Sequence, residues 1–222
     1  MTLHLTRLRL NTLDRQVIRD LADPYDMHRT LMRAAQQQPD VLTPFLWRQE
    51  CSGPTEPQIV LIQSEQPLNW NALPAGFAHQ IEHRSWDPDA VLNSGQQVRF
   101  RVTANPTVNR VPLPIPGDEP TNRPARGRRK RLGLRAEADQ LAWMQRQADR
   151  LGLIRVSAGV SRAGQICSHR KAHHRITVFT AQFDGVATIA EPEALISGMR
   201  RGIGHARMLG LGLVTIAPLR SP

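Results

Sequence analysis

Tyr25 and His28 have the types and spacing that suit chemistry. They sit in Asp23-Pro24-Tyr25-Asp26-Met27-His28-Arg29-Thr30-Leu31, which reads as a helix start. Asp23 can cap the free N–H groups of the first turn, and Pro24 fits the first helical position, where no N–H is needed. Three residues apart, Tyr25 and His28 project from one side of that turn, while Met27, Leu31, Ala34 and Ala35 form a separate apolar stripe. A helix N-terminus attracts phosphate and favours the neutral imidazole, so a phosphodiester held there meets a histidine able to accept a proton. Arg29 can steady developing negative charge. For RNA this allows the 2′-hydroxyl to attack its own phosphate, with one of the pair as general base and the other assisting the leaving oxygen or the charged intermediate; no metal is required. The same residues also describe a capped helix with a packed tyrosine, and spacing alone does not choose between the two.

The charge balance narrows the substrate. Against 19 Asp plus Glu stand 29 Lys plus Arg, a formal +10, which points to a polyanionic partner. Most of the positive charge is arginine, whose planar fork pairs with phosphate at two points and stacks on bases, so nucleic acid is favoured over a membrane surface. The alternative is an enzyme with an incidentally basic surface. No segment approaches the roughly 20 consecutive apolar residues of a spanning helix, and the N-terminus lacks a signal-peptide pattern, so a cytoplasmic location is expected. Cys51 and Cys167 share no C-x-x-C spacing and read as reduced thiols.

The elements that must position Tyr25 and His28 follow from periodicity. Residues 2–10 alternate as a half-buried strand, and the helix from Asp23 is expected to run to about Gln37, where Pro39 stops it. Strands are expected at Phe45 to Glu50, Gln58 to Gln63 and Phe77 to Glu82, with a short helix near Asn69 to Leu73, giving β-α-β-β-α-β, the ferredoxin-like order. Trp86 to Gln96 reads as the connection to a second unit, placing one domain over residues 1–94 and another over 95–222. The second unit opens with Val98-Arg99-Phe100-Arg101-Val102, whose alternation packs Val98, Phe100 and Val102 and turns Arg99 and Arg101 to the face that can meet phosphate. A Pro-rich and Arg-rich stretch from Ala104 to Arg135, including Arg128, Arg129, Lys130 and Arg131, is expected to be a mobile loop, either a solvated charge run or an arm for nucleic acid. Ala138, Leu141, Ala142, Gln145, Ala148 and Leu151 fall at helical spacing, with Trp143 and Met144 widening the face. Next come a short strand at Leu153 to Ser157, a basic hairpin over Ser161 to Arg175 that turns at Gly164, a strand pair or one bent strand over Val178 to Ile189, a helix from Pro192 to Arg201, and a last strand from Leu211 to Ala217. The hairpin carries Arg162, Arg170, Lys171 and Arg175. The fold class is therefore α+β, two tandem ferredoxin-like (RRM-like) units.

Other motifs were weighed against simpler readings. Gly202 to Gly212 is not a dinucleotide fingerprint, because Arg207 occupies the third glycine position and the segment leads into a strand. Its backbone N–H groups, with Arg200, Arg201 and Arg207, can line a phosphate path, or its glycines can simply make tight turns between helix and strand. Cys167-x-His169-x-x-x-His173-His174 holds metal-capable side chains but no second cysteine pair or nearby carboxylate, and its interleaved arginines favour a nucleic-acid face over a zinc site. His4, His79 and His83 read as surface or satisfied histidines.

Leu8-Arg9-Leu10, the block Leu21 to Leu31, Val98 to Pro106, Gln140-Leu141-Ala142-Trp143-Met144, and Gly202 to Leu213 occur in the order seen in the CasE-type CRISPR-associated endoribonucleases, and the chain resembles that family over nearly its whole length. The resemblance implies tandem ferredoxin-like domains and metal-independent cleavage of CRISPR precursor RNA at the base of the repeat hairpin. It also implies retention of the product crRNA as a subunit of the Cascade complex, no cofactor, and no membrane partner. By position, Tyr25 and His28 match the catalytic pair, Gly202, Gly204, His205 and Arg207 fall in the glycine-rich loop, and the hairpin from Arg162 to Arg175 matches the element that enters the groove of the RNA stem. Helical RNA is read mainly through shape and backbone, which agrees with only 5% aromatic residues. The rival is a non-catalytic RNA-hairpin-binding scaffold of the same fold.

Overall fold

In the computed structural model, residues 2–38, 41–50, 56–110, 130–169 and 175–219 are described. Strand β1 (Leu3–Leu10) shows the expected alternation, burying Leu8 and Leu10 and exposing Arg7 and Arg9. Two helices follow. The first, α1 (Arg15–Ala22), is absent from the sequence reading, although Asp14 caps it by accepting from the N–H groups of Gln16 and Val17. The second, α2 (Pro24–Ala35), starts where Asp23 and Pro24 dictate and buries Met27, Thr30, Leu31, Ala34 and Ala35. A short ribbon of β2 (Gln36–Gln38) and β3 (Val41–Leu42) leads to β4 (Phe45–Glu50), β5 (Ile59–Ser64), a 3-10 turn (Trp70–Ala72), β6 (Ala78–Trp86) and the short α3 (Pro88–Val91).

The chain then forms β7 (Gln97–Ala104), β8 (Thr107–Arg110), β9 (Lys130–Gly133), α4 (Glu137–Arg150), β10 (Leu153–His169), β11 (Arg175–Ile189), α5 (Pro192–Arg201), a 3-10 turn (Arg207–Leu209) and β12 (Val214–Pro218). Two antiparallel sheets result, ordered β4-β5-β1-β6 and β10-β11-β7-β12. In each, the first and third of four strands are central, which is the ferredoxin-like arrangement. The first unit departs from it by adding α1 and reducing its second helix to the 3-10 turn. One core lies under the first sheet around Leu8, Met27, Leu31, Trp47 and Ile62. The other, around Val98, Phe100, Trp143, Met144 and Phe183, also takes in Leu3 and Leu92 from the first half of the chain.

Three expectations change. The hairpin does not turn at Gly164, which pairs with Thr180 inside a continuous ribbon from Leu153 opposite Ile189 to His169 opposite Arg175. Gly164 has open space around its Cα and no positive φ, so it serves as an ordinary strand residue. The strand expected to end at Ser157 therefore runs the length of β10, and Val178 to Ile189 belongs to the single strand β11. The stretch from Ala104 to Arg135 is structured at both ends, since β8 and β9 pair from Thr107 opposite Gly133 to Arg110 opposite Lys130; its central part lies outside the described residues, as does Cys51. The buried face of α4 is Gln140, Trp143, Met144, Gln147 and Ala148, leaving Ala138, Ala142 and Gln145 exposed. Trp143 and Met144 carry far more apolar area than alanines, so they set the face.

The two sheets are joined through Arg48, which is 2% exposed. It donates to the carbonyls of Arg101 at 3.1 Å and Leu213 at 2.9 Å and to Thr215 Oγ1 at 2.9 Å, and it pairs with Glu50. Glu50 also binds Arg101 at 3.1 Å, and Arg101 binds Asp184 at 2.5 Å. A second tie runs from Gln63 Nε2 to the carbonyl of Met199 at 2.7 Å, with Arg200 and Glu65 paired at 2.6 Å beside it. Removing Arg48 strands two carbonyls and leaves Glu50 without its buried partner. Arg48→Met is accordingly expected to cost about 3 kcal/mol of unfolding free energy. Urea denaturation followed by tryptophan fluorescence measures this, and an unchanged midpoint would mean the network adds no stability.

Candidate active site

The catalytic candidates owe their direction to the cap of α2. Asp23 Oδ1 accepts the N–H of Tyr25 at 2.9 Å, fixing the first turn. Burial of Met27, Leu31 and Ala34 on one side turns Tyr25, His28 and Arg29 to the other, with Tyr25 between the other two around the helix. Both members of the pair are half-buried. The ring of His28 lies 5.3 Å from that of Phe45 on β4, tilted by 31°. Its Nδ1 is enclosed and has no hydrogen-bond partner among the described residues. Burial holds the His28 pKa below 6.5, and the helix N-terminus acts in the same direction. At neutral pH the ring is therefore an uncharged base, and with Nδ1 enclosed, proton exchange with a substrate falls to Nε2.

Arg29 is exposed, and its Nη1 lies 3.3 Å from Oδ1 of Asp26, one turn earlier on the same helix. Asp26 also draws Arg19 to 3.7 Å. The pairing is exposed, so it costs little to release when an anion approaches.

Elements of the second unit complete the surroundings. The segment Gly202 to Gly212 takes positive φ at Gly202, Gly204, Ala206, Gly210 and Gly212. Its structural role is plain at two of them. A Cβ on Gly210 would lie 2.9 Å from the Trp47 ring, and one on Gly212 would lie 2.4 Å from the carbonyl oxygen of Ile203. The loop is thus pressed against the first sheet, with Ile203, Leu209 and Leu211 buried, while His205 and Arg207 stay exposed. Burial, then Arg131 on β9 and Arg207, push the His205 pKa down, so these three cationic or basic groups share one patch.

Arg99 stands exposed on β7, whereas Arg101 is held by Glu50 and Asp184 in the bridge between the sheets. Arg162 is exposed on β10 and lines a cleft of about 340 Å³ together with Pro24, Trp47, Gln165, Cys167 and Gly210. That cleft lies between the start of α2, the hairpin and the glycine-rich loop. Arg128, Arg129, Arg170 and Lys171 lie outside the described residues, as do His173 and His174; Lys130 and Arg175 are described as strand backbone only. His4 and His83 stack at 5.4 Å and share the hydroxyl of Ser85, so they are satisfied side chains. Among the described residues no group of three metal-ligating side chains occurs, and no helix is long and apolar enough to cross a membrane.

Sequence reasoning did not single out Phe45, Arg48 or Ser168. Phe45 touches His28, Arg48 joins the sheets, and Ser168 reaches Asp23, each across a long stretch of chain. Asp23 carried a local signal as a cap; the other three carried none.

Residues 3–218 match the family described as CRISPR associated protein. The chain is 31% identical to the CRISPR-associated endoribonuclease Cse3 of Thermus thermophilus, over 96% of this chain and 99% of that one. It is 29% identical to the Cascade subunit CasE of Escherichia coli, over 89% of this chain and 93% of that one. The structure of Thermus thermophilus Cse3 bound to an RNA representing a pre-cleavage complex superposes with a TM-score of 0.81 at 31% identity, covering 98% of this chain and all of that chain. The two-sheet fold thus has a counterpart of known structure over 98% of the chain. The protein belongs to the CRISPR-associated protein family.

The environment of His28 makes a measurable statement about pH. A histidine whose folded pKa lies below 6.5 binds fewer protons folded than unfolded in the window between the two values. Stability therefore rises with pH through that window, is flat above 6.5, and falls as the solution is acidified below it. The His28 resonance is expected to titrate below 6.5 by NMR, and His28→Gln should flatten this part of the stability profile. A His28 midpoint at or above 6.5 would refute the burial argument.

Proposed function

We propose that this protein is a CRISPR-associated endoribonuclease that cuts precursor RNA at the base of the repeat hairpin, without a metal ion, and keeps the product as a Cascade subunit. The observation that carries the reading is Tyr25 and His28 on a capped helix start, with His28 held neutral by burial and a basic ribbon and a glycine-rich loop alongside. The relatives support it: one is named an endoribonuclease, one a Cascade subunit, and one has been solved with RNA.

The reaction needs little beyond geometry. The 2′-hydroxyl loses its proton to a general base and its oxygen forms a bond to the adjacent phosphorus. The bond from phosphorus to the 5′-oxygen breaks, and that oxygen takes a proton from the general acid. Products are a 2′,3′-cyclic phosphate and a 5′-hydroxyl. Tyr25 and His28 share the acid and base roles, and Arg29, freed from Asp26, steadies charge on the phosphate. Arg99, Arg131, Arg162, Arg207 and His205, with Gly202 and Gly204, form the RNA track. Arg101 joins them once an anion competes with Asp184, and Arg128, Arg129, Lys130, Arg170, Lys171 and Arg175 extend it. Residues 1–94 carry the catalytic helix and residues 95–222 most of the RNA-holding surface, and the protein works in the cytoplasm.

Hairpin repeat RNA mixed with the protein in EDTA is expected to be cut, and end-group analysis should find the cyclic phosphate. Tyr25→Phe combined with His28→Ala should slow cleavage at least ~10³-fold while binding persists. Tight, salt-sensitive binding with no cleavage under any condition would instead favour a non-catalytic RNA scaffold.

A further inference from the structure

Two distant parts of the chain meet at one carboxylate oxygen. Asp23 Oδ1 accepts the N–H of Tyr25 at 2.9 Å and the hydroxyl of Ser168 at 2.6 Å. Ser168 lies near the end of β10 and is 0% exposed. It is separated from Asp23 by 145 positions. A buried hydroxyl is costly unless paired, so this contact fixes where the end of the strand comes to rest.

The hairpin needs such an anchor. Within the described residues β7 pairs with β11 only from Ala181 to Thr188, so residues 175–180 have β10 as their one strand partner, with Asn105 Nδ2 donating to the carbonyl of Phe179 and Arg135 lying over its ring. At strand rise this ribbon extends roughly 20 Å beyond the sheet, and a two-stranded ribbon is marginal by itself. The Asn105 and Arg135 contacts lie at Phe179, and the Ser168 bond attaches the ribbon further out, to the start of α2. Pro24 and Cys167, the neighbours of the two bonded residues, both line the cleft that also holds Arg162, Gln165 and Gly210. The bond closes one edge of that cleft.

We propose that Ser168 is a positioning residue for cleavage: through its hydrogen bond to Asp23, it couples the seating of an RNA stem on the hairpin to the orientation of the helical turn that bears Tyr25 and His28. The proposal rests on the endoribonuclease reading above. Asp23 caps α2 through Tyr25 whether or not Ser168 is present. What Ser168 adds is the angle between hairpin and helix. Its loss leaves the arginine-bearing surface intact and disturbs the reacting geometry, where small displacements carry large rate effects.

The test separates rate from binding. Single-turnover cleavage of hairpin repeat RNA under saturating protein is measured for wild type, Ser168→Ala, Ser168→Thr, Asp23→Ala and the Asp23→Ala, Ser168→Ala double variant. Affinity is measured with the same hairpin lacking its 2′-hydroxyls at the base of the stem. Ser168→Ala is expected to slow the saturating rate about tenfold, the size of one hydrogen bond to a charged acceptor, with Kd changed by less than about twofold. Ser168→Thr, which keeps the hydroxyl, should restore the rate. Adding Ser168→Ala to Asp23→Ala should slow it little further than Asp23→Ala alone, because Asp23→Ala already removes the acceptor of the Ser168 hydroxyl. If Ser168→Ala melts early, Ser168→Cys, of similar volume but a weaker donor, gives the same comparison. A Ser168→Ala rate equal to wild type, a loss confined to Kd, or no rescue by threonine overturns the coupling. A wild type that binds and does not cut overturns the endoribonuclease reading and this proposal with it, so the two failures are distinguishable.

Discussion

Arg48 holds the two sheets in one relation. A guanidinium at 2% exposure has lost almost all its water, and its hydrogen bonds now run to two backbone carbonyls and a hydroxyl of the second sheet. Those groups sit on β7, on the approach to β12 and on β12 itself, so a rotation between the sheets would break several bonds at once while leaving the charge buried. Trp47, next to Arg48 on the same strand, receives the glycine-rich loop, and Phe45 touches His28. The edge strand of the first sheet thus joins the second unit to α2.

This arrangement explains why the site is composite. In the proposed mechanism the helix brings the proton-handling groups, and burial beside Phe45 lowers the His28 pKa. The second unit brings cationic groups on three separate elements, namely β9, β10 and the loop after α5. Polyanion binding near a neutral base is easier to build this way. Cations placed on the helix itself would depress the basicity of His28 further, whereas Arg29 is balanced by Asp26 at 3.3 Å.

Local signals made much of this legible in the sequence. Asp23-Pro24 marks the start of α2, alternation marks β1 and β7, and the stripe of Met27, Leu31, Ala34 and Ala35 marks the buried face. The reading failed where a residue is decided by something distant. Gly164 looks like a turn until Thr180 is found opposite it. The face of α4 follows Trp143 and Met144, which outweigh a regular row of alanines. Arg101 reads as a free cation on an exposed face, but Glu50 and Asp184 occupy its fork. In the same way Tyr25 and His28 could be named from one short stretch, whereas Ser168, Arg48 and Phe45 acquire meaning only through contacts that no local pattern encodes. Helix α1 is different: Asp14 and Val17 did carry a signal, and the neighbouring, stronger start at Asp23 obscured it.

The loop pressed against Trp47 also sets an order of events during synthesis. Residues 202 to 213 come from the last tenth of the chain, and β12, which follows them, pairs with β7 near the middle. A ribosome-bound chain can form the first sheet and present Tyr25 and His28 long before the loop and the carbonyl of Leu213 emerge. Until they do, Arg48 lacks partners and the floor beside the helix is open. The protein therefore completes this surface only once residues 202–218 are available to pair and pack, and a chain lacking them exposes the helix without it.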